Sequence, residues 1–487
     1  MAIFTDLPTD VINQLYFYLD NKGILLVKNL NKYVKKNSTI KFFTSVIKYK
    51  ENLNLHLDLK KILHLDCSDD ENLKKIPRGL VNLRILKCSN SHKIKIIPRE
   101  LVNLRILDCS GCSQLTKISS ELLQLSDIDC SWCTELTKIP SGLLQLRKLD
   151  CSHCSKITKI PSGLLLLRDL NCSHCSQLTK IPSGLLQLRK LDCSHCSQLT
   201  NISSELLQLR NLDCSHCRIL VELPNTLTNL TRINFSLCFL INSIPNELVN
   251  LEILTCIECS ELLEFPTTLT KLRAITCSWC TEIITIPREF VNLELLECRE
   301  CTLLITIPGN LKLISVLICV GCFNITQIPS SFSKLTVLNV SRCTKLKSIP
   351  LEFVNLEVLS ISGCIKINNI PDTIVNLQEL DCSACSGITK IPSTCTKLTK
   401  IDCSWCMNIG NISPSFTQLI TLNCSSCPRI NSIPSTFDNL KELSILGTTK
   451  IKKIPTEYLN GDVRIIGYDV PRTRTRTSSR KVSCPVS

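Results

Sequence analysis

The chain is poor in glycine and in aromatic residues. Glycine accounts for 14 of the 487 residues, and aromatic residues make up 5% of the chain. The sequence contains neither G-x-G-x-x-G nor G-x-x-x-x-G-K. These absences argue against the glycine-rich loops that cradle phosphate groups in nucleotide-binding enzymes.

Long apolar runs and a secretory signal are also missing. The longest pure leucine run, Leu164–Leu167, is far shorter than the roughly 18 apolar residues of a membrane span. The first ten residues, MAIFTDLPTD, lack a basic region followed by an apolar one. We therefore expect a cytoplasmic protein without a membrane span, in which the 33 cysteines remain reduced thiols.

The charge balance is basic but uneven. Lysine and arginine number 56 against 42 acidic residues, a net charge of +14. The excess is concentrated near both ends, between Lys22 and Lys50 and between Arg472 and Lys481. We interpret these segments as solvated surface and tail rather than as a binding surface for nucleic acid or membrane.

One unit recurs along most of the chain. Cysteines lie 21 residues apart, beginning with Cys67, Cys88 and Cys109, and the gaps in the series hold Phe235, Val340, Ile361 and Ile445 in register. Aliphatic residues recur two before, six after and nine after each of these anchor positions. Such columns predict a solenoid of about 19 turns, because a single turn cannot bury its apolar side alone.

The unit L-x-x-L-x-C-x-x-C-x-x-L-x-x-I-P-x-x-L-x-x-L resembles a leucine-rich repeat of the short type. The resemblance implies an α/β leucine-rich-repeat solenoid over residues 57–467, with a curved parallel sheet on the concave face and a short irregular or 3₁₀ convex side. Alternation along the strand predicts that Leu149 and Cys151 point inward, whereas Asp150 and Ser152 point outward.

Residues 1–45 do not follow the repeat, and apolar spacing there predicts three short helices. This segment contains the ordered string Leu7-Pro8-x-Asp10-x-Ile12-x-x-Leu15-x-x-x-Leu19-Asp20. The string resembles an F-box, which implies a helical domain that binds a Skp-type adaptor of a cullin ubiquitin ligase. The residues that would face the adaptor are Leu7, Pro8, Ile12, Leu15 and Leu19. The pairing with cysteine-rich short repeats is similar to proteins encoded by giant DNA viruses, which would place the chain in host cytoplasm. Residues 46–66 would then form a linker and cap, and 468–487 a basic disordered tail.

Thirteen C-x-x-C pairs leave three interpretations open. The spacing of Cys151, Cys154, Cys172 and Cys175 fits a zinc ribbon, and disulfides between neighbouring turns are conceivable. We favour a buried packing column followed by a hydrogen-bonding ladder, because apolar residues replace the first cysteine and Ser91 replaces the second in one repeat. We expect no metal, no cofactor and no catalytic residue. The repeated Asp-Cys-Ser-His string cannot converge as a catalytic triad does.

Two features predict binding. The column two residues after the anchor holds His153, His174, His195, His216 and all three tryptophans, and we place it at an exposed rim. Apolar residues interrupt the otherwise polar outward strand positions further along, which predicts a target-binding patch with Trp279 at its edge. The patch residues are Leu295, Val316, Ile318, Val320, Val337 and Val358.

These observations favour a protein-interaction module over an enzyme. The F-box resemblance implies the substrate-recognition subunit of a Skp–cullin–F-box ubiquitin ligase, whose repeats capture an unknown target protein. The alternative is a scaffold or decoy that binds a partner without recruiting a ligase. A row of outward aspartates, including Asp150, Asp192 and Asp213, argues against a nucleic-acid partner.

Overall fold

The computed structural model describes residues 59–459 and 461–467, together with the backbone of Ile47–Lys48. The chain divides into two compact units, Met1–Cys301 and Thr302–Ser487. The five adaptor-facing residues predicted in the first 45 positions lie outside the described residues, as does the predicted tail.

Unit 1 contains fifteen short strands among its described residues, and each main strand begins three residues before an anchor. A single 3₁₀ turn, Leu59–Lys61, precedes the second strand. The strands β1 to β15 are Ile47–Lys48, His64–Asp66, Ile85–Lys87, Ile106–Asp108, Asp127–Asp129, Lys148–Asp150, Asp169–Asn171, Lys180–Ile181, Lys190–Asp192, Asn201–Ile202, Asn211–Asp213, Arg232–Asn234, Ile253–Thr255, Ala274–Thr276 and Leu295–Glu297.

Unit 2 repeats the same arrangement with eight strands among its described residues. A 3₁₀ turn, Thr456–Leu459, precedes the last of them. The strands β16 to β23 are Val316–Ile318, Val337–Asn339, Val358–Ser360, Glu379–Asp381, Lys400–Asp402, Thr421–Asn423, Glu442–Ser444 and Arg464–Ile466.

Within each unit, strands of successive repeats pair in parallel and in strict register. Leu149 of β6 lies beside Leu170 of β7, which lies beside Leu191 of β9. In unit 2, Leu317 pairs in the same way with Leu338. The two remaining short strands, β8 and β10, pair with each other in a separate parallel ladder. The fold is therefore a parallel-sheet solenoid.

Buried columns explain why the sequence forms these turns. In the repeat that begins at β6, Leu149, Cys151, Cys154, Ile157 and Ile160 are each at most 4% exposed. The same five positions are buried in the next repeat, so each turn completes the core of its neighbour. Stacking of identical columns gives the in-register sheet, because any shift would bring polar positions into the core.

The structure corrects two expectations. Ser152 was expected to point outward, but it is buried, at 6% exposed, because its hydroxyl turns back to Asp150. The class assignment as α/β also needs correction for the described residues, which contain only turns, strands and two 3₁₀ segments. The three predicted helices lie outside that part of the chain.

Candidate functional site

The strand face consists of the first and third residues of each three-residue strand. In β6 the middle residue, Leu149, is buried, whereas Lys148 is exposed and Asp150 is half-buried. The same alternation recurs in nearly every main strand of both units. The backbone thus offers two side chains per repeat to a ligand while the core stays unchanged.

The third strand position in unit 1 organises the turn that follows it. Asp150 accepts hydrogen bonds at its Oδ1 atom from the backbone N–H and the hydroxyl of Ser152, at 3.0 and 2.7 Å. Its Oδ2 atom accepts a bond of 2.9 Å from the amide of Asn171 in the next repeat. The serine hydroxyl therefore bonds to the aspartate and not to an imidazole, so these residues build a turn rather than a nucleophilic centre.

The position two residues after each anchor has a left-handed backbone conformation. His153 has a φ of 58°, and Trp132, Trp279 and Trp405 have φ values between 60° and 64°. In four repeats the position is glycine, which adopts this conformation without strain. The turn directs the side chain away from the core, and the three tryptophans are 51–61% exposed.

Rings in this column stack in unit 1. Trp132 lies 3.7 Å from His153, measured between ring centroids, and three further contacts of 4.0, 4.1 and 3.8 Å continue the stack. Adjacent ring planes are tilted by 9–16°. We call this stack the imidazole row; it consists of Trp132, His153, His174, His195 and His216.

Two histidines of the row, His153 and His195, have lowered pKa values. Partial burial, followed by the neighbouring His174, lowers the pKa of His153 below 6.5, although Asp150 opposes the shift. Partial burial and the two adjacent imidazoles likewise lower the pKa of His195, opposed by Asp213 and Asp192. These rings are thus held in the neutral form at neutral pH.

A groove of about 490 Å³ lies on the strand face of unit 1, over β6, β7, β9 and β11 to β13. Three cations line it: Lys148, Lys190 and Arg232. Four carboxylates also line it: Asp150, Asp169, Asp192 and Asp213. The four histidines of the imidazole row do not line this groove themselves, but each follows by three positions a residue that does: Asp150, Asn171, Asp192 or Asp213.

The second cysteine of each pair forms the predicted ladder. The thiol of Cys154 donates to the carbonyl of Cys130 at 3.1 Å, and most repeats make the equivalent bond. Ser91 and Thr448 occupy the same position and donate at 2.8 Å. The ladder interpretation is therefore confirmed by these contacts, and a hydroxyl can replace the thiol in it.

The first cysteines lie in the core. Burial raises the pKa of Cys67 and of Cys424 to about 12, so both remain protonated at neutral pH. A cysteine that binds a metal ion must do so as a thiolate. Within residues 59–459 and 461–467, no three cysteine, histidine or acidic side chains form a group able to hold a metal ion.

The structure places the predicted target-binding residues in both units. Leu295 is half-buried in unit 1, where Trp279 is 51% exposed. In unit 2, Val316 lies beside Val337, which lies beside Val358, so the three valines form a continuous row across β16 to β18. All three are half-buried, as are Ile318 and Val320.

The imidazole row is the feature that the sequence interpretation missed. The shared column was recognised, and the rim exposure predicted for it is observed for the tryptophans. Stacking was not anticipated, although the signal was present as an identical ring in four consecutive repeats. Strands in register bring such residues to about 4.8 Å apart, within the range of ring stacking.

Comparison with solved structures finds similar chains. The functional domain of InlJ from Listeria monocytogenes, which includes a cysteine ladder, is similar at 24% identity, over 62% of this chain and 73% of that chain, with a TM-score of 0.42. The LRR protein LIC12759 of Leptospira interrogans is similar at 18% identity, over 86% of this chain and 99% of that one, with a TM-score of 0.39. The plant peptide hormone receptor RGFR1, in complex with RGF2, is similar at 17% identity, over 84% and 89% of the two chains, with a TM-score of 0.30.

No curated protein matches the sequence. In the part of the chain that the structure describes, no helix has the length and apolar character needed to span a membrane. The Leucine Rich Repeat family model matches residues 208–230, which run from the end of one repeat through most of the next. With the repeated buried columns and the parallel sheet, this match shows that the chain carries leucine-rich repeats.

Proposed function

We propose that the chain is a protein-binding module that captures a target on the strand face of unit 2. The observation that carries this proposal is the valine row of Val316, Val337 and Val358. Apolar side chains that stay partly accessible on an otherwise polar face favour a protein partner, because contact removes them from water. Ile318 and Val320, also half-buried, extend the apolar area within one repeat.

The finer proposal is that the chain is the substrate-recognition subunit of a Skp–cullin–F-box ubiquitin ligase in host cytoplasm. It rests on the F-box-like sequence of residues 1–45. The repeats would hold the target while a ubiquitin-loaded partner approaches its lysines, so that rate enhancement comes from proximity. The chain would supply no catalytic group of its own.

Adaptor binding separates this proposal from the scaffold or decoy alternative. In the full-length chain, Ile12→Asp or Leu15→Asp should abolish retention of a Skp-type adaptor, because a charge in a desolvated helix interface costs several kcal/mol, about a thousandfold in affinity. Ile96→Asp is a matched control, since Ile96 is 62% exposed in the solenoid. If both variants still retained the adaptor, the proposed role in a ubiquitin ligase would be wrong and the scaffold or decoy alternative would remain.

Target capture is tested independently of the adaptor. Proximity labelling in cells with the Ile318→Asp chain should lose the proteins that the unmodified chain labels. Ile365→Asp, at a position 53% exposed in the same unit, should retain them. An unchanged set of labelled proteins in the Ile318→Asp chain would remove unit 2 as the capture surface.

A further inference from the structure

The imidazole row presents ring nitrogens that the fold does not use. Within the described residues, the rings of His153, His174, His195 and His216 stack on one another and on Trp132, and their nitrogens form no hydrogen bond. His92, in an earlier repeat, shows the alternative, because its Nδ1 atom lies 2.7 Å from the carbonyl of Gly111. The ring nitrogens of four consecutive histidines are thus available to bond with solvent or a ligand.

The geometry of the row does not suit a metal ion. An imidazole nitrogen binds a metal along a lone pair that lies in the plane of the ring, at about 2.0–2.1 Å. Nearly parallel rings about 4 Å apart direct their lone pairs side by side instead of toward a common point. A ligand that interacts with a line of N–H groups fits this arrangement better than a metal does.

The groove holds cations that form no ion pair with its carboxylates. In the part of the chain that the structure describes, Lys148, Lys190 and Arg232 form no ion pair, although all three line the groove. The neighbouring carboxylates are engaged differently: Asp150 accepts from Ser152 and Asn171, and Asp213 accepts from Ser215 and Asn234. Asp150 and Asp213 are thus partly satisfied within the fold. Asp169 lies in register between Lys148 and Lys190 but forms no ion pair with either, so both lysines keep donors that a ligand can reach.

Protonation of the row would reverse the charge of this surface. Three cations and four carboxylates line the groove, which gives it a net charge of −1, and each imidazole of the row that gains a proton adds one positive charge beside it. The charged groups that act on the rings are Asp150 on His153, Asp192 and Asp213 on His195, and the neighbouring imidazoles. Since each of these aspartates already accepts hydrogen bonds from a serine, the new positive charge is only partly neutralised within the chain.

We propose that the groove and the imidazole row of unit 1 together form a proton-dependent binding site for an acidic, extended polypeptide. Acidic side chains would pair with Lys148, Lys190, Arg232 and the protonated imidazoles, and the backbone N–H groups of the ligand would donate to the aspartates. Affinity rises as pH falls from 7.5 to 5.5, an interval in which glutamate side chains stay ionised and imidazoles become charged. The site is separate from the capture surface proposed on unit 2.

A peptide suits the mixed charge better than a nucleic acid does. A nucleic acid carries a phosphate at every nucleotide and would meet the aspartates that recur along the groove. A peptide can space its carboxylates to match the cations and can satisfy the aspartates with its own N–H donors. Binding of both ligand classes is therefore compared directly in the experiment.

The experiment uses the full chain and fluorescence anisotropy with a rhodamine-labelled decamer of alternating Glu and Gly. Binding should tighten by about tenfold between pH 7.5 and 5.5 at low salt, and should weaken with added salt. A Gln–Gly decamer should show no such change. A thymidine decanucleotide that binds as tightly as the Glu–Gly decamer would overturn the assignment to a peptide.

The matched variant replaces all four histidines with asparagine. Asn90 has a φ of 58° at the equivalent position of an earlier repeat, so the asparagine variants should keep the backbone. H153N/H174N/H195N/H216N should change its affinity by less than about twofold over the same pH range, whereas Trp405→Asn in unit 2 should behave as the unmodified chain does. If the quadruple variant misfolds, H174N/H195N should retain an intermediate pH dependence. The proposal would be refuted if the affinity of the unmodified chain for the Glu–Gly decamer did not change with pH. It would also be refuted if the quadruple variant showed the same increase in affinity as the unmodified chain.

Discussion

The two units share one backbone plan, but one stretch of strands in each presents a different strand face. In β6, β7 and β9 of unit 1 the first strand position holds Lys148, Asp169 and Lys190, whereas in β16 to β18 of unit 2 it holds Val316, Val337 and Val358. Elsewhere each unit contains the other kind, with Ile85 and Ile106 in unit 1 and Glu379 and Lys400 in unit 2. The middle strand residue is buried aliphatic in both sets. The comparison shows that the buried columns determine the fold and leave the strand face free to acquire either charge or apolar area.

The left-handed column differs between the units in the same way. Unit 1 places rings in five consecutive repeats, and they stack. Unit 2 places Gly363, Ala384, Trp405 and Ser426 in consecutive repeats, so Trp405 has no ring on either side in its column. A stack requires the same kind of side chain in successive turns, and only the first unit provides it among the described residues.

The largest expected effect is on stability, and it tests whether buried and strand-face residues of unit 2 differ in their contribution to the free energy of unfolding. Leu317 is fully buried, whereas Ile318, the next residue, is half-buried on the strand face. Leu317→Asp should lower the free energy of unfolding by about 4 kcal/mol or more, because it buries a carboxylate. Ile318→Asp should cost less than about 1 kcal/mol, since unit 1 carries Asp150 at the corresponding strand position.

Urea unfolding monitored by circular dichroism measures both free energies. Leu170→Asp in unit 1 is the matched control and should behave as Leu317→Asp does. Similar losses for Leu317→Asp and Ile318→Asp would mean that Ile318 belongs to the core, which would also remove it from the proposed capture surface.

The second expected effect concerns the cysteines, for which the two units should agree. Cys151→Ser should lower the free energy of unfolding by about 1–3 kcal/mol, because it places a hydroxyl in a buried column otherwise filled by thiols and apolar groups. Cys154→Ser should cost less than about 1 kcal/mol, since Ser91 already makes the ladder bond at 2.8 Å. Thermal unfolding of both variants, and of Cys382→Ser and Cys385→Ser in unit 2, measures the difference. Equal losses for the two members of a pair would contradict the division into core column and ladder.

The regular part of the fold could be predicted from the sequence because it repeats. A column such as Leu149, Leu170 and Leu191 identifies the buried strand position in every turn, and the ladder followed from the exchange of cysteine for serine at Ser91. The orientation of Ser152 could not be predicted from alternation alone, because its hydroxyl finds Asp150 only after the strand has ended and the chain has turned.

The candidate sites were harder to predict than the fold. Val316 and Ile318 were correctly predicted to lie on the strand face. Packing against neighbouring turns leaves both half-buried, and this degree of burial could not be predicted from a single sequence. The imidazole row depends on ring orientation after a left-handed turn at residues such as His153. The 21-residue spacing predicts that the histidines align in one column, but it does not predict that their rings stack.

The third expected effect is a loss of stability of unit 1 on acidification. Because the pKa of His153 and that of His195 are lowered in the folded chain, the unfolded chain binds more protons below pH 6.5. The stabilisation from neutral stacked rings is therefore present above pH 6.5 and is lost as pH falls through the folded pKa values. Two adjacent imidazolium ions about 4 Å apart repel each other by about 1 kcal/mol in water.

Urea unfolding at pH 7.5 and 5.5 measures this loss, with H153N/H174N/H195N/H216N as the control. The variant should lose less stability than the unmodified chain over the same interval. A larger loss in the variant would show that other groups dominate the acid response.

The smallest expected effect is spectroscopic and compares one tryptophan in each unit. The chain has three tryptophans, so Trp279→Phe with Trp405→Phe leaves only Trp132, which lies 3.7 Å from His153. Its emission should change as that imidazole is protonated, with a midpoint below pH 6.5, because partial burial and His174 lower the pKa of His153. His153→Asn should remove the transition. A chain that retains only Trp405 should show no transition in this range, since its column neighbours, Ala384 and Ser426, do not titrate there. A transition of equal size from Trp405, or a midpoint above pH 6.5 for Trp132, would mean that the stack does not control the titration of the row.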